Sequence, residues 1–204
     1  MTLPISVVIP HQKSRDRFFR RFCLPSVISN DVAQIIVQEQ EGGACEKRNA
    51  GAKLATQPFM VMVDDDMIVG ADCFRLLLQE LQQSSEPVGY AYSDHVTIPW
   101  PGTEGHDSRL EKLVSGPFDP AKLRRGNYIN TLAVMVRSKF AGFDPAVGRF
   151  QDWDLWLSML KAGVHGVYVP GFLFANVTVD RGITSSEPST KWMDFIRRKH
   201  NLTA

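Results

Sequence analysis

The sequence predicts an α/β fold in which a mainly parallel sheet carries helices on both faces. Three short, largely apolar runs separated by amphipathic stretches occupy the first third of the chain, and each is apolar at successive rather than alternate positions. Strands covered on both sides read this way, as parallel strands joined by helical crossovers are. No Pro/Gly/Ser-rich or strongly charged stretch divides the 204 residues, so a single domain is expected.

The first run, Ile5 to Ile9, is a buried strand that stops at Pro10. From Ser14 to about Ser29, Phe18, Phe19, Phe22 and Val27 recur at roughly helical spacing, with Pro25 kinking or ending the regular part. Ile35-Ile36-Val37 is the second strand. Ala44 to Ala55 is a helix whose Ala44, Gly51, Ala52 and Ala55 would let it approach the sheet closely. Phe59 to Val63 is the third strand. Asp72 is placed to cap a helix through about Gln83, because Phe74, Leu77, Leu78 and Leu81 then form one apolar face. Val88 to Asp94 and Thr131 to Val136 read as strands, with a Pro-, Gly- and charge-rich functional loop at Pro99 to Pro120 between them. Asp152 to about Ala162 is a helix with Leu155, Trp156 and Met159 inward. His165 to Val169 is a short strand, and Lys191 to Leu202 a final helix.

A hydrophobic content of 44% suffices for a substantial core, and 23 basic against 22 acidic residues argue against a broad nucleic-acid surface. Cys23, Cys45 and Cys73 are odd in number and lack metal-ligand spacing, so they read as buried, reduced thiols. The N-terminus lacks a signal-peptide pattern, and no stretch approaches the ~18 apolar residues of a membrane span. The expectation is a cytoplasmic protein, with peripheral contact to a membrane face left open.

Ligands of open parallel sheets bind beyond the carboxyl ends of the strands. Pro10-His11-Gln12-Lys13 follows the first strand, Gln38-Glu39-Gln40 the second and Asp64-Asp65-Asp66 the third. Three adjacent carboxylates repel one another and cost stability unless a cation or hydrogen bonds compensate. An Asp-x-Asp pair there offers hard oxygen ligands to Mg²⁺ or Mn²⁺ and leaves positions for water and phosphate oxygens. The alternative is a solvated acidic turn with Asp66 as a local cap. A second segment, Phe143 to Trp156, uses a Gly- and Pro-containing turn to deliver Asp152 and Asp154 to the start of a helix, where one can cap backbone N–H groups and the other can face a cleft.

With these pieces in order, the chain resembles the glycosyltransferase family 2 group with the GT-A fold. The matching residues are Ser6 to Pro10, Glu46-Lys47-Arg48-Asn49-Ala50-Gly51, Val63 to Asp66, and Phe143-Asp144-Pro145 followed by Gln151 to Leu157, covering roughly residues 5–165. The resemblance implies a single GT-A domain with a Rossmann-like sheet and a short antiparallel element, its nucleotide-binding half at about 1–95 and its acceptor and catalytic half at about 96–204. It implies inverting transfer of a sugar from a nucleoside-diphosphate sugar, a UDP-sugar being favoured, to a carbohydrate or other hydroxyl acceptor. Asp64 then lies at the ribose and diphosphate and shares the metal with Asp66, the principal ligand of Mn²⁺ or Mg²⁺. Asp65 is a donor-side residue or a bare spacer. Glu39 stands where the family has an aspartate at the nucleobase, and Pro10, His11, Arg48 and Asn49 lie near the nucleotide, with an ion-pair role as the alternative for Arg48. Asp152 falls on the catalytic base.

Departures from the pattern are Gln151 for the usual glutamate, Ser158 for a frequent arginine, and His11-Gln12-Lys13 for Thr-Tyr-Asn. Arg181, in Asp180-Arg181-Gly182, is a candidate to fold over the donor. Lys13 and Arg197-Arg198-Lys199 are diphosphate or membrane-surface contacts or else solvated charge, and Trp153 and Trp156 either stack on an acceptor sugar or belong to the core. Two other readings stand beside this one. A nucleotidyltransferase is opposed by the lack of glycine in His11 to Ser14, and a catalytically idle nucleotide- or carbohydrate-binding module is kept open by Gln151.

Overall fold

The computed structural model describes residues 2–100, 110–178 and 188–202. The three apolar runs become β1 (Leu3–Pro10), β2 (Val32–Gln38) and β3 (Phe59–Met62), with β1 between the other two and parallel to both. Side chains of a strand alternate between its faces. Ile5, Val7 and Ile9 therefore join Val61 and Val63 in one core, and Val8 joins Met60 and Met62 in the other.

The sheet continues through β4 (Met67–Val69), β5 (Val88–Pro99), β6 (Glu111–Leu113), β7 (Val134–Val136) and β8 (His165–Thr178). Its order is β2-β1-β3-β7-β5-β8-β4, with β6 added on β5. The long pairings β1–β2 and β5–β8 are parallel, and β7 sews the two blocks together by running antiparallel to both β3 and β5. With β4 against β8 and β6 against β5, also antiparallel, the reversal is wider than the short element expected. An apolar run marks a strand and says nothing of its direction.

One core is closed by α1 (Asp16–Phe18), α2 (Leu24–Ile28) and α4 (Cys73–Gln83), through Phe18, Val27, Phe74, Leu77 and Leu81. The other is closed by α3 (Ala44–Leu54), α5 (Pro120–Arg125), α6 (Gln151–Lys161) and α7 (Ser189–Lys199), through Cys45, Leu123, Trp153, Trp156 and Ile196. The expected kink at Pro25 takes the form of a π turn, Phe19–Cys23, between α1 and α2. Pro25 has no N–H to give the preceding turn, and the widened ladder absorbs that loss. All three cysteines are free and buried. Among the described residues no helix is long and apolar enough to cross a membrane.

Two expectations are corrected. Asp72 makes no capping bond to α4; its carboxylate accepts from Arg75 instead, at 3.0 Å. The cap comes from a residue remote in sequence. Asn30 Oδ1 accepts the Phe74 N–H at 3.2 Å, while its Nδ2 donates to Ser26 O and Gly70 O. The Pro99 to Pro120 stretch is also less loop-like at its ends. β5 runs to Pro99, β6 pairs back onto it, and Asp119 caps α5 by accepting from the N–H groups of Ala121 and Lys122.

The close approach expected of α3 is concentrated at one residue. A Cβ at Gly51 would overlap Val8 Cγ1 and stand 3.3 Å from Gln38 Cγ. Gly51→Ala should therefore push α3 off β1 and β2 and lower stability by about 1–3 kcal/mol, despite its better helix propensity. The urea midpoint reads this, and a midpoint at or above wild type would contradict so tight a contact.

Candidate active site

Parallel strands end at the same edge, so the segments after β1, β2 and β3 meet there. The His11 N–H donates to Gln38 O at 3.0 Å and the Val63 N–H to Val8 O at 3.0 Å, which aligns the three strand ends. Beyond them the aspartate triplet divides by burial: the side chain of Asp65 is 2% exposed, that of Asp64 23% and that of Asp66 25%.

Asp65 is not a spacer. Its Oδ2 accepts from the Gln12 N–H at 2.6 Å and meets His11 Nδ1 at 3.0 Å, and its Oδ1 accepts from Arg15 Nη1 at 3.0 Å. The carboxylate ties the segment after β1 to the end of β3, and its oxygens face the protein rather than a donor. His11 is likewise built in. Its Nε2 lies 3.3 Å from Asp16 Oδ1, its ring stacks on Phe19 at 4.3 Å, and its carbonyl accepts from Lys47 Nζ at 2.6 Å. Pro10 is buried beside it, and Glu39 is exposed at the end of β2, within electrostatic reach of Arg20.

The repulsion inside the triplet is met by two arginines. Arg15 Nη1 also donates to Asp66 Oδ2 at 2.7 Å. Arg48 Nη2 donates to Asp64 Oδ1 at 2.6 Å, and Arg48 Nη1 to Gln151 Oε1 at 2.7 Å. Burial alone would lower the pKa of Arg48, and the adjacent Asp64 more than reverses that, so it stays charged. Asp66 is pushed up to about 7 by burial, with Asp64 and Asp65 adding to the effect and Arg15 opposing it. The fold thus supplies its own counter-ions, and carboxylate repulsion by itself no longer calls for a metal. Among the described residues no group of three or more His, Cys, Asp and Glu is arranged to hold one. What Asp64 and Asp66 can offer is two partly exposed hard-oxygen ligands, each with one oxygen on an arginine. That donor set suits a cation completed by diphosphate and water, not one enclosed by protein.

Arg48 and Asn49, expected near the nucleotide with an ion-pair role as the alternative for Arg48, both bond to the segment that leads into α6. Arg48 is buried, its guanidinium lies 5.0 Å over the Phe143 ring, and it braces the end of β3 against the start of α6. Asn49 Nδ2 donates to Phe143 O at 2.7 Å and its Oδ1 accepts the Phe143 N–H at 2.9 Å, which fixes the turn leading to Gln151. Both are held inside the protein by the segment that leads into α6.

That segment enters α6 through Phe150, whose left-handed φ of 60° redirects the chain. For a large side chain such a conformation costs on the order of 1–3 kcal/mol, and it persists because its surroundings fix it. Asp152 then takes the Trp153 N–H on Oδ1 at 2.9 Å and Asn127 Nδ2 on Oδ2 at 2.8 Å. Burial raises its pKa; Asn127, the Trp153 N–H and Arg48 oppose the rise, and Asp64 adds to it. Asp154 points the other way, into the protein, where Lys199 Nζ donates to it at 2.8 Å and His200 Nε2 lies 2.7 Å away. Lys199 also holds Asp144 at 2.6 Å, so it is a structural tie rather than a free surface contact. Trp153 and Trp156 belong to the core, with their indole N–H groups bonded to Leu123 O at 2.6 Å and Ile129 O at 3.0 Å. Arg181 lies outside the described residues.

Sequence reasoning missed Arg15, Lys47 and Asn127. Arg15 had a signal, since three carboxylates require compensation and it is the nearest arginine after β1. Asn127 had none, because only the tertiary fold brings it to Asp152.

The mixed α/β sheet of this order, covered by helices on both faces, is the GT-A glycosyltransferase fold. The description Glycosyl transferase family 2 matches residues 19–143, more than half of the chain, and the chain belongs to that family. No curated protein matches it. Among solved structures it is similar to S. aureus TarS 1–349 in complex with UDP-GlcNAc, at a TM-score of 0.67 and 10% identity over 98% of this chain and 65% of that one. It is also similar to TarS 1–349 with UDP, at 0.61 and 12% over 98% and 64%. GalNAc-T7 with UDP, GalNAc and Mn²⁺ matches at 0.56 and 14%, over 97% of this chain and 48% of that one. The chain thus spans less than two thirds of these neighbours, and the likeness is one of fold.

The raised pKa of Asp66 has a stability consequence with a definite sign. A carboxyl with a folded pKa of about 7 against 3.8 unfolded binds its proton more tightly when folded, so stability falls as pH rises between those values. Asp66→Asn should raise the melting temperature of the metal-free protein at pH 7.5, by roughly 3 °C or more, and the gain should vanish near pH 4. A pH-independent difference would place its origin outside this carboxyl.

Proposed function

We propose that this domain transfers a sugar from a nucleoside-diphosphate sugar to an acceptor hydroxyl, with inversion and with the help of a divalent cation. The observation that carries the reading is the Arg48 brace, which fixes the acidic end of β3 and the start of α6 as two sides of one site. Family membership supports sugar transfer as the reaction class. Neighbours solved with UDP-GlcNAc and UDP support a UDP-sugar as donor, and the Mn²⁺ beside UDP in GalNAc-T7 supports a metal. Three buried free cysteines suit a reducing compartment such as the cytoplasm.

In this mechanism Asp152 accepts the proton of the acceptor hydroxyl as its oxygen bonds to the anomeric carbon and the bond from that carbon to the diphosphate oxygen breaks. The donors at Asn127 and Trp153 keep part of the carboxyl pointed and ionised against the effect of burial. Asp64 and Asp66 face the diphosphate, where Mn²⁺ or Mg²⁺ would supply Lewis-acid neutralisation of the leaving group. Glu39, exposed just after β2, would contact the nucleobase. Gln151 replaces the family's usual glutamate without loss of the brace, because its amide oxygen accepts from Arg48.

Asp152→Asn should keep nucleotide binding and lower transfer by roughly 10²–10⁴-fold. A variant that transfers normally would remove Asp152 from the chemistry. For the donor side, a thermal-shift panel of UDP-, GDP- and TDP-sugars with and without MnCl₂ should single out the UDP series with Mn²⁺, and Asp66→Ala should abolish the Mn²⁺-dependent part. A metal-independent shift that survives Asp66→Ala would leave the triplet as an acidic turn.

A further inference from the structure

Between α5 and β7 the chain passes through Gly126-Asn127-Tyr128-Ile129-Asn130, a segment that belongs to no regular element. Its placement is nonetheless tightly determined. The Trp153 indole N–H donates to Leu123 O, in α5 just before the segment, and the Trp156 indole N–H donates to Ile129 O within it. Both tryptophans project from α6 and are buried, so α6 grips the segment on either side of Asn127. Between these grips Asn127 Nδ2 reaches Asp152 Oδ2 at 2.8 Å, and Asn127 Oδ1 is turned back onto the Ile129 N–H at 3.3 Å. With its oxygen so engaged, the amide presents its N–H to the carboxylate, and a flipped amide would set two oxygens face to face.

We propose that Asn127 is a positioning residue for Asp152, held on a segment that the two tryptophans of α6 clamp in place. The inference rests on the reading of Asp152 as the base. Asp152 receives one donor on each oxygen, the Trp153 N–H from its own helix and Asn127 from the segment before β7. The helix donor alone would leave the carboxyl free to rotate about its side-chain bonds. The second donor, from a separate element, fixes its plane and favours the ionised form that a base needs. The other charged groups acting on Asp152 are Arg48 of α3, which favours ionisation, and Asp64 at the end of β3, which opposes it. The Arg48 guanidinium bonds to Asp64 and Gln151 instead, so among the described residues orientation of the carboxyl from outside its own helix falls to Asn127.

The test uses the whole chain with Asn127→Ala and Asn127→Asp, each checked for cooperative unfolding. Carbon-13 NMR follows the Asp152 carboxyl through a pH titration, and UDP release from UDP-GlcNAc in MnCl₂ follows turnover to water. Both variants should move the Asp152 titration to higher pH, Asn127→Asp further because it adds a like charge. UDP release at neutral pH should fall roughly ten- to a hundredfold with the affinity for UDP unchanged. An Asp152 titration unmoved in a folded variant would overturn the proposal. If Asp152→Asn releases UDP at the wild-type rate, the base reading fails instead, while the titration still decides whether Asn127 controls the carboxyl. Should Asn127→Ala unfold, Asn127→Asp, which keeps the side chain's shape, decides the same point.

Discussion

Arg48 carries a permanent charge into a position that is 6% exposed, and the site is organised by the two groups that receive it. Asp64 belongs to the end of β3 and Gln151 to the start of α6, elements that the sequence separates by more than 80 residues. A buried guanidinium must be satisfied or it costs several kcal/mol, so neither partner can drift without penalty. Asn49, the next residue, fixes the turn at Phe143, and Gly51 on the same helix lets α3 sit against β1 and β2. One helix therefore presses on the sheet with one side and holds the approach to α6 with another. The distance between the acidic strand end and Asp152 is set by protein–protein contacts before any ligand arrives.

The acidic triplet obeys the same economy of charge. Asp65 is spent on architecture, binding His11, the Gln12 N–H and Arg15, and this leaves Asp64 and Asp66 at the surface of the site. Arg15 and Arg48 neutralise what remains. Under the proposed function, a divalent cation entering here would compete with two arginines, and the donor diphosphate, whose own charge can take up the displaced guanidinium groups, would favour its binding.

Much of this was legible in the sequence. Continuous apolar runs at Ile5, Ile35 and Phe59 specify doubly covered strands, and the spacing of Phe74, Leu77, Leu78 and Leu81 specifies α4, because both patterns are local consequences of burial. The candidate carboxylates were legible too, since Asp64, Asp66 and Asp152 follow strand or turn signals. Strand direction was not, and β7 could be placed antiparallel between β3 and β5 only by the tertiary fold. The caps and braces were also hidden. Asn30 capping α4, Arg48 joining Asp64 to Gln151, and Asn127 reaching Asp152 are contacts between distant segments, for which neighbouring residues in the chain give no signal. Arg48 and Asn49 are a recognisable pair in the sequence, but their partners at Gln151 and Phe143 are not.

The tie between Asp154 and the Lys199-His200 end of α7 bears on how the molecule breathes. Detaching α7 would strip Asp154, 1% exposed, of both its basic partners, a loss that ordinarily costs about 3–5 kcal/mol. Fraying of the last helix is thereby coupled to α6, two residues from Asp152. Contacts of this kind are what join neighbouring helices into a unit that opens together, and here they join α7 to the first turn of α6. The placement of Asp152 thus leans on contacts that Lys199 and His200 make two residues further along α6.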